Sequence, residues 1–505
     1  MLKTPNMVRE NIALVLSDET VERNVGSRTA VYHRRLGGLC LLDEAALATL
    51  HSFKGGRAIP AKWLEGDAES REAELVQQLE ARQLLFREGQ SSDRRQDETK
   101  PPRVTVIQLI MANACNFGCT YCFEGIQGRE MSVESEVRKV ESARLASPES
   151  IKIDLGDSMY ASKERFEHQF DPKNRRMKPD DAVRYIDEAL GVARAGGVNE
   201  VMIQFFGGEP LLNWPAVAAV LKRFGNGADD GMTIHYSTVT NGSLITEEIA
   251  RTFSEYGVAV CVSFDSPDSP NRPLKDGSSS TPSVMRGFRY LQKFGNRVAI
   301  NAALTSSTWD QFDNSIVDLA VDVGASEIGV VVDFDPTFYV SYDADQIGDR
   351  LWSVIEYGRQ RGVVLTGYWH QIFQVLLGFD VVSQRGFKNC SAKGAQLSIE
   401  PNGSVFSCKA GSTLLGKIDA GADLLRAEPY LAHDKLRTEN PPFCNGCEIE
   451  GFCAGLCLGP LEKKFGEIDM IEPAACDFYR DITRKHIAAL QPFEVATFDL
   501  QHQPA

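Results

Sequence analysis

Three cysteines, Cys115, Cys119 and Cys122, stand in the segment MANACNFGCTYCFEG as a C-x3-C-x2-C array. Three thiolates on one short loop can hold three irons of a four-iron, four-sulfur cubane and leave the fourth iron without a protein ligand. That open iron is where chemistry can occur. A structural zinc ion instead wants four closed ligands in paired C-x2-C or Cys/His spacing. The histidine nearest this loop, His168, lies far along a long connection.

Seven more cysteines gather near the C-terminus. Cys390 and Cys408 bracket a turn with Gly403 five residues before the second, giving C-x12-G-x4-C. Cys444, Cys447, Cys453 and Cys457 follow as C-x2-C-x5-C-x3-C, and Cys476 comes after a gap. From Lys388 to Tyr479 the chain is rich in Gly and Pro and poor in periodicity, so apolar burial alone does not hold it and its cysteines must contribute. A treble-clef-like zinc fold suits Phe443-Cys444-Asn445-Gly446-Cys447 by itself. The remaining two of the 12 cysteines, Cys40 and Cys261, stand alone and read as core or near-core side chains, as does His235.

Composition narrows the function classes. The chain has 505 residues with 43% hydrophobic and 24% charged, enough for several cores and incompatible with wholesale disorder. Its 54 basic against 69 acidic residues leave a net charge of −15, which offers no footprint for nucleic acid or anionic lipid. There is no apolar run near the roughly 20 residues needed to span a bilayer and no signal-peptide core, so the expected compartment is the cytoplasm. In a reducing cytosol, clustered cysteines are metal ligands rather than disulfides.

The elements that must position these residues are legible as periodicities. Residues 1–87 read as an α+β module, with β-like segments at Ile12–Leu16 and Ala30–Tyr32, a helix capped by Asp43, and a second helix carrying Leu75, Leu79 and Leu84-Leu85. A polar, Pro-terminated run from Gly89 to Pro102 reads as a linker within 88–103. Beyond it, apolar runs at Val104–Leu109, Val201–Phe206, Met232–Thr238, Val258–Phe264, Arg297–Ala303 and Glu327–Asp333 alternate with helical stretches at Pro179–Ala195, Pro215–Phe224, Thr246–Tyr256 and Pro282–Phe294. That rhythm predicts about six βα units on a parallel sheet, a partial barrel over 104–340. A long charged connection, Glu130–Lys178, carries Met131, Met159 and Met177 and reads as functional or mobile. A helical bridge over 341–388, the cysteine-rich segment 389–480 and a tail 481–505 complete the expected organisation.

With an aromatic, Tyr121, before its last cysteine, the first array resembles the radical S-adenosylmethionine (SAM) superfamily. Gly207-Gly208-Glu209-Pro210 after the second strand is similar to the family's GGEP element, at which the methionine amino group is received. Thr240-Asn241-Gly242 and Val262-Ser263-Phe264-Asp265 resemble positions near the SAM ribose and carboxylate, which implies roles for Ser263 and Asp265. Where relatives carry an HD-x-x-R pattern this chain reads SPNRPLKDG, leaving open whether Arg272 or Lys275 meets the carboxylate. The second array resembles the SPASM extension. That resemblance implies two auxiliary clusters, one on Cys444, Cys447, Cys453 and Cys476, the other on Cys390, Cys408 and Cys457 with one iron lacking a cysteine. The layout of residues 1–87 is similar to PqqD-like peptide-recognition domains, which bind a leader peptide as an added strand.

The fold class so implied is α/β, a partial (β/α)6 radical SAM barrel with an N-terminal α+β winged-helix-like domain and a C-terminal Cys-rich SPASM domain. The resemblance implies three [4Fe-4S] clusters and SAM as cofactors, and reductive cleavage of SAM to a 5′-deoxyadenosyl radical that takes a hydrogen from the substrate. The implied substrate is a ribosomally made precursor peptide and the product an intramolecular thioether, C–C or ether crosslink. A flavodoxin or ferredoxin would supply electrons. The rivals are a formylglycine-type maturase or peptide epimerase of the same superfamily and, without enzyme activity, a zinc-stabilised peptide-binding scaffold. Asp333 and Asp335, after the sixth strand, sit where a proton acceptor would lie, although carboxylates there as readily cap a helix; no catalytic residue is assigned.

Overall fold

The computed structural model describes residues 11–64, 70–90, 103–122, 175–225, 227, 231–268, 270–333, 336–378, 390–434, 442–453, 457, 459, 462 and 473–500. The linker after Gln90 and most of the Glu130–Lys178 connection, with Met131 and Met159, lie outside the described residues, as does Asp335.

The N-terminal module is built from β1 (Asn11–Leu16), β2 (Thr20–Val25), β3 (Arg28–His33), β4 (Gly37–Leu42), β5 (Arg57–Pro60) and β6 (Leu85–Arg87) with two helices. Asp43 caps the first helix, Glu44–His51, by accepting from the Ala46 amide at 2.8 Å. The second helix, Arg71–Ala81, carries Leu75 and Leu79 into the module's core; Leu84 and Leu85 lie past its end, and Leu85 opens β6. Strand β2 is not visible in the sequence because TVERNV is polar and only half buried, with no apolar alternation to announce it.

The central sheet runs β13-β12-β11-β10-β9-β8-β7-β14-β15-β16. Its members are β7 (Val106–Ala112), β8 (Glu200–Gly207), β9 (Thr233–Thr240), β10 (Ala259–Ser263), β11 (Val298–Leu304), β12 (Glu327–Val332), β13 (Val364–Thr366), β14 (Gln396–Ile399), β15 (Ser404–Phe406) and β16 (Leu414–Lys417). The six predicted strands appear within a few residues of their expected bounds, all parallel. Two further parallel strands, β13 and β14, extend the set at its two sides. Both are too short to stand out as apolar runs. The sheet ends on β13 and β16 and is therefore open, a partial barrel.

Strict alternation drives the pairing. In β8 Val201, Ile203 and Phe205 are buried on one face, against helices such as Pro179–Ala195, which buries Tyr185, Ile186, Ala189 and Leu190. Each such side chain contributes about 1.5–3 kcal/mol when removed from water. Strand β14 lies beside β7 and bonds it from Gln396↔Val106 to Ile399↔Leu109, so the cysteine-rich segment is sewn into the barrel sheet itself. A buried polar network reinforces that seam. Lys409 Nζ donates to Asn113 Oδ1 at 2.8 Å and lies 3.8 Å from Glu400 Oε1, while Asn113 Nδ2 donates to Glu400 Oε2 at 2.7 Å.

The helix Cys476–Ala488 runs across residue 480, where the expected tail begins, and packs on the helices Ala344–Arg361 and Tyr368–Leu376. After it the chain returns to the N-terminal module, where β17 (Thr497–Phe498) adds in parallel to β4 and Phe498 and Leu500 join the module's core. His235 is not a core side chain: it lies on the surface with its Nε2 2.8 Å from Glu200, because β9 turns that face to solvent. Among the described residues no helix is long and apolar enough to cross a membrane.

Two stability predictions follow from buried polar groups. Lys409→Met leaves the Glu400 carboxylate without its cation and should cost about 3–5 kcal/mol in a urea titration, with Glu400→Gln in the same chain recovering part of the loss. His486 is 3% exposed, stacks on Phe373 at 4.8 Å, and neither ring nitrogen has a hydrogen-bond partner among the described residues. Burial pushes its pKa from 6.5 down to about 3. The unfolded chain therefore takes up a proton below about pH 6.5 that the folded chain refuses, so stability is present above that pH and is lost as pH falls. Between pH 7 and pH 5, His486→Phe should lose about 2 kcal/mol less than the parent chain, read as the difference in urea midpoints.

Candidate functional site

The loops after β7, β8, β9 and β10 all leave the carboxyl ends of neighbouring parallel strands, the end at which α/β sheets place their ligands. The cysteine loop follows β7 and is clamped by the segment Asn271–Lys275. Gly118 N donates to Pro273 O at 2.9 Å, Thr120 N to Asn271 O at 3.0 Å and Lys275 N to Asn116 O at 3.3 Å. Cys115, Cys119 and Cys122 are half buried and face one another closely enough that each charge would be felt at Cys115. Burial raises the Cys115 thiol to about 12, and the Cys119 thiol shifts upward for the same reason. The Cys115 sulfur already accepts from Phe117 N at 3.4 Å and Asn241 Nδ2 at 3.8 Å.

Such a set suits an iron–sulfur cluster. Buried neutral thiols have little reason to converge unless a metal takes their protons' place, and N–H donors to sulfur are the usual tuning of cluster thiolates. None of the three is in a disulfide.

Gly207 holds φ at +142°, and a Cβ there would stand 2.4 Å from Ala112 O, so only glycine lets β8 close on the start of the cysteine loop. Gly208 N and Glu209 N then donate to Ala112 O and Ala114 O, both at 2.8 Å. The Glu209 carboxylate is wholly buried and accepts from Leu211 N at 3.0 Å, Thr240 Oγ1 at 2.7 Å and Asn241 N at 2.7 Å. Burial raises its pKa, opposed by these donors. Glu209 thereby ties the second loop to the third, and Pro210 opens the short helical turn that follows. Asn241 links on to Asn116 at 2.8 Å, so the third loop reaches the first cysteine.

Asp265 is buried at the end of β10, where it accepts from Ala303 N at 3.0 Å and from the Tyr121 hydroxyl. Burial raises its pKa, and the Arg272 guanidinium opposes that rise. Arg272 is 8% exposed, donates to the Tyr121 hydroxyl at 3.0 Å, and lies near enough to Cys119 to lower its thiol pKa. Its Nε has no partner among the described residues. Lys275 is exposed. Of these two cations, Arg272 is the one buried at the cysteine loop. Ser263 ends β10 in register with Asn301 and meets none of this group through a described side-chain hydrogen bond.

The C-terminal cysteines lie near one another. Cys476 interacts with Cys444 and Cys447, and Tyr479 is flanked by Cys453, Cys457 and Cys476. Cys390 and Cys408 pack with Ala392, and the Cys457 thiol donates to the Tyr368 hydroxyl at 3.7 Å, with Cys390 and Cys408 within electrostatic reach of that phenol. The N-terminal module docks on the loop between Cys447 and Cys453: Arg34 O accepts from Gly451 N at 3.0 Å, and Arg35 lies 3.4 Å from Glu450. Asp333 keeps its place after β12, where its carbonyl accepts from Tyr339 at 2.8 Å.

Sequence reasoning missed Asn113, Asn116, Lys409 and Tyr368. Adjacency to Cys115 and Cys408 is a usable signal for the first three. Tyr368 lies 89 positions from the cysteine it touches and carries no such signal.

Comparisons with known proteins agree with this geometry. A model of the radical SAM superfamily matches residues 109–319, from the strand before the cysteine loop through the fifth βα unit. The chain is 34% identical over 468 residues to a radical SAM cyclopropyl synthase of Paramaledivibacter caminithermalis, covering 90% of this chain and 92% of that protein. It is 26% identical to a serine-type anaerobic sulfatase-maturating enzyme of Klebsiella aerogenes, over 77% of this chain and 86% of the other. A solved structure of native anSMEcpe with bound AdoMet and Kp18Cys peptide shares the fold, with a TM-score of 0.55 at 18% identity over 77% of this chain and 99% of that one. A likeness that runs nearly end to end, laid over a sheet whose strand ends converge on the C-x3-C-x2-C loop, makes this chain a member of the radical SAM superfamily of enzymes, which work with S-adenosylmethionine and a four-iron, four-sulfur cluster.

Proposed function

We propose that the protein acts in the cytoplasm on a ribosomally made precursor peptide and closes an intramolecular bond within it. The observation that carries this reading is the 34% identity, spanning 90% of this chain, to an enzyme named for making a cyclopropyl group. A synthase of that kind joins carbon to carbon, so C–C closure is the favoured bond, ahead of a thioether or ether. The solved neighbour that holds AdoMet and a peptide together supports a peptide substrate. A formylglycine-type maturase or an epimerase is less well supported, since the N-terminal module is there to be explained.

Cys115, Cys119 and Cys122 would hold the SAM-binding cluster, and the C-terminal cysteines two auxiliary clusters, one on Cys444, Cys447, Cys453 and Cys476. When bound, the cofactors supply a 5′-deoxyadenosyl radical that removes a hydrogen atom from one substrate carbon. The chain's own residues position and shield. Arg272 offers a buried guanidinium beside the cysteine loop to the SAM carboxylate, and Asp265 with Tyr121 holds that guanidinium in place. The backbone of Gly207–Pro210, braced by Glu209, would receive the methionine amino group, with Ser263 nearby. Residues 1–87 would take the leader as an added strand, as strand β4 already takes the chain's own β17. Bond closure releases a proton and one electron beyond the hydrogen atom removed, the electron passing to one of the auxiliary clusters the C-terminal cysteines would hold, so the peptide loses two hydrogens. A flavodoxin- or ferredoxin-type protein would provide the reducing electron.

Anaerobically reconstituted, dithionite-reduced enzyme should convert SAM to 5′-deoxyadenosine, and replacing Cys115, Cys119 and Cys122 by Ala should bring that to background. Arg272→Met should weaken SAM binding by roughly tenfold or more, as expected when a buried charge-assisted hydrogen bond is removed. Given the precursor peptide, mass spectrometry should record the loss of two hydrogens. An unchanged mass would mean epimerisation, and colourless protein holding zinc without iron would end the enzyme reading of the cysteines.

A further inference from the structure

Cys390, Cys408 and Cys457 form a set with three sulfurs where a cubane has four irons, and the cysteine that would complete it is absent from the neighbouring sequence. Several polar groups touch cysteine sulfurs in this protein. Phe117 N and Asn241 Nδ2 meet Cys115, Gly411 N meets Cys408 at 3.1 Å, and Arg480 Nη1 meets Cys447 at 3.9 Å. All four are N–H donors with no capacity to bind a metal. At Cys457 the contact is of another kind, since its thiol donates to the Tyr368 phenolic oxygen at 3.7 Å. A phenol can lose its proton and become an anionic oxygen donor to iron, as tyrosinate does in haem proteins.

Tyr368 is also held where it stands. It opens the helix Tyr368–Leu376, and the next residue, Trp369, donates from Nε1 to Val330 O in β12 at 3.2 Å. A Cβ at Gly367 would meet that indole at 2.4 Å and Val330 O at 2.5 Å, so the helix start is pressed against the barrel. Cys390 and Cys408 both lie within electrostatic reach of the phenol, as Cys457 does. The tyrosine thus touches one of the three sulfurs and feels the charge of the other two.

We propose that the Tyr368 phenolate is the fourth protein ligand of the Cys390, Cys408 and Cys457 cluster, taking the position a fourth cysteine would occupy. On loading, the hydrogen bond between Cys457 and Tyr368 gives way to one sulfur–iron and one oxygen–iron bond, and the two protons leave to solvent. No electron is transferred in that step. The assignment rests on the reading of the C-terminal cysteines as auxiliary-cluster ligands and makes that cluster closed, an electron carrier rather than a substrate-binding site.

The test uses the full chain with Cys115, Cys119 and Cys122 replaced by Ala, so that auxiliary clusters alone contribute, reconstituted with iron and sulfide. Iron analysis comes first: protein that takes up no iron would defeat the auxiliary-cluster reading as a whole. In iron-loaded protein grown with carbon-13-labelled tyrosine, electron–nuclear double resonance of the reduced clusters should detect a carbon-13 coupling from one tyrosine, and Tyr368→Phe should abolish it. The same substitution should open the cluster, so that added imidazole shifts its paramagnetic resonance and ferricyanide removes an iron to give a three-iron signal. Tyr368→Cys should restore resistance to both reagents. Iron-loaded parent protein without a tyrosine coupling would overturn the assignment even if Tyr368→Phe fails to load, and so would a Tyr368→Phe cluster indistinguishable from the parent's.

Discussion

Strand β7 is hydrogen-bonded on both sides, to β8 and to β14, and nearly everything of chemical interest hangs from that double pairing. On one side it sets the level at which the barrel loops end, so that Ala112 meets Gly207 and the cysteine loop begins where the GGEP backbone arrives. On the other it draws the cysteine-rich segment into the same sheet. The parallel ladder explains the alignment, because a one-residue slip would send every inward side chain to the opposite face. The Lys409, Asn113 and Glu400 network sits across the seam and is satisfied in one register.

Around the cysteine loop the protein spends buried polar groups freely, and each has a partner that makes sense of it. Glu209 is wholly enclosed yet accepts three donors, one from its own loop and two from the loop after β9, which turns a costly buried carboxylate into a brace. Asp265 and Tyr121 do the same for Arg272. The guanidinium is thus held in one orientation by the protein's own groups.

The N-terminal module meets the segment between Cys447 and Cys453. Arg34 and Arg35 meet Glu450 and Gly451, and Arg23 meets Glu448, all between Cys447 and Cys453. Strand β17 brings the chain's last described residues back onto β4, where Arg28 grips Asp499 and Arg82 covers Phe498. Module, cysteine-rich segment and C-terminal helix therefore share contacts.

The amino-acid order alone was enough for the features that are local along the chain. The C-x3-C-x2-C spacing confines three thiols to one loop whatever surrounds it, the alternating apolar runs located six barrel strands and four of their helices, and Asp43 announced its helix by a cap three residues long. Features made by packing between distant segments were not legible. Strands β13 and β14 are short and take their place from neighbours, while β2 is polar and takes its place by pairing. Arg272 and Lys275 stand three residues apart with the same charge, and only burial against Cys119 and Tyr121 separates them. The Tyr368 hydroxyl reaches Cys457 because two chain segments 89 positions apart converge on one end of the sheet, a distance over which spacing carries no information.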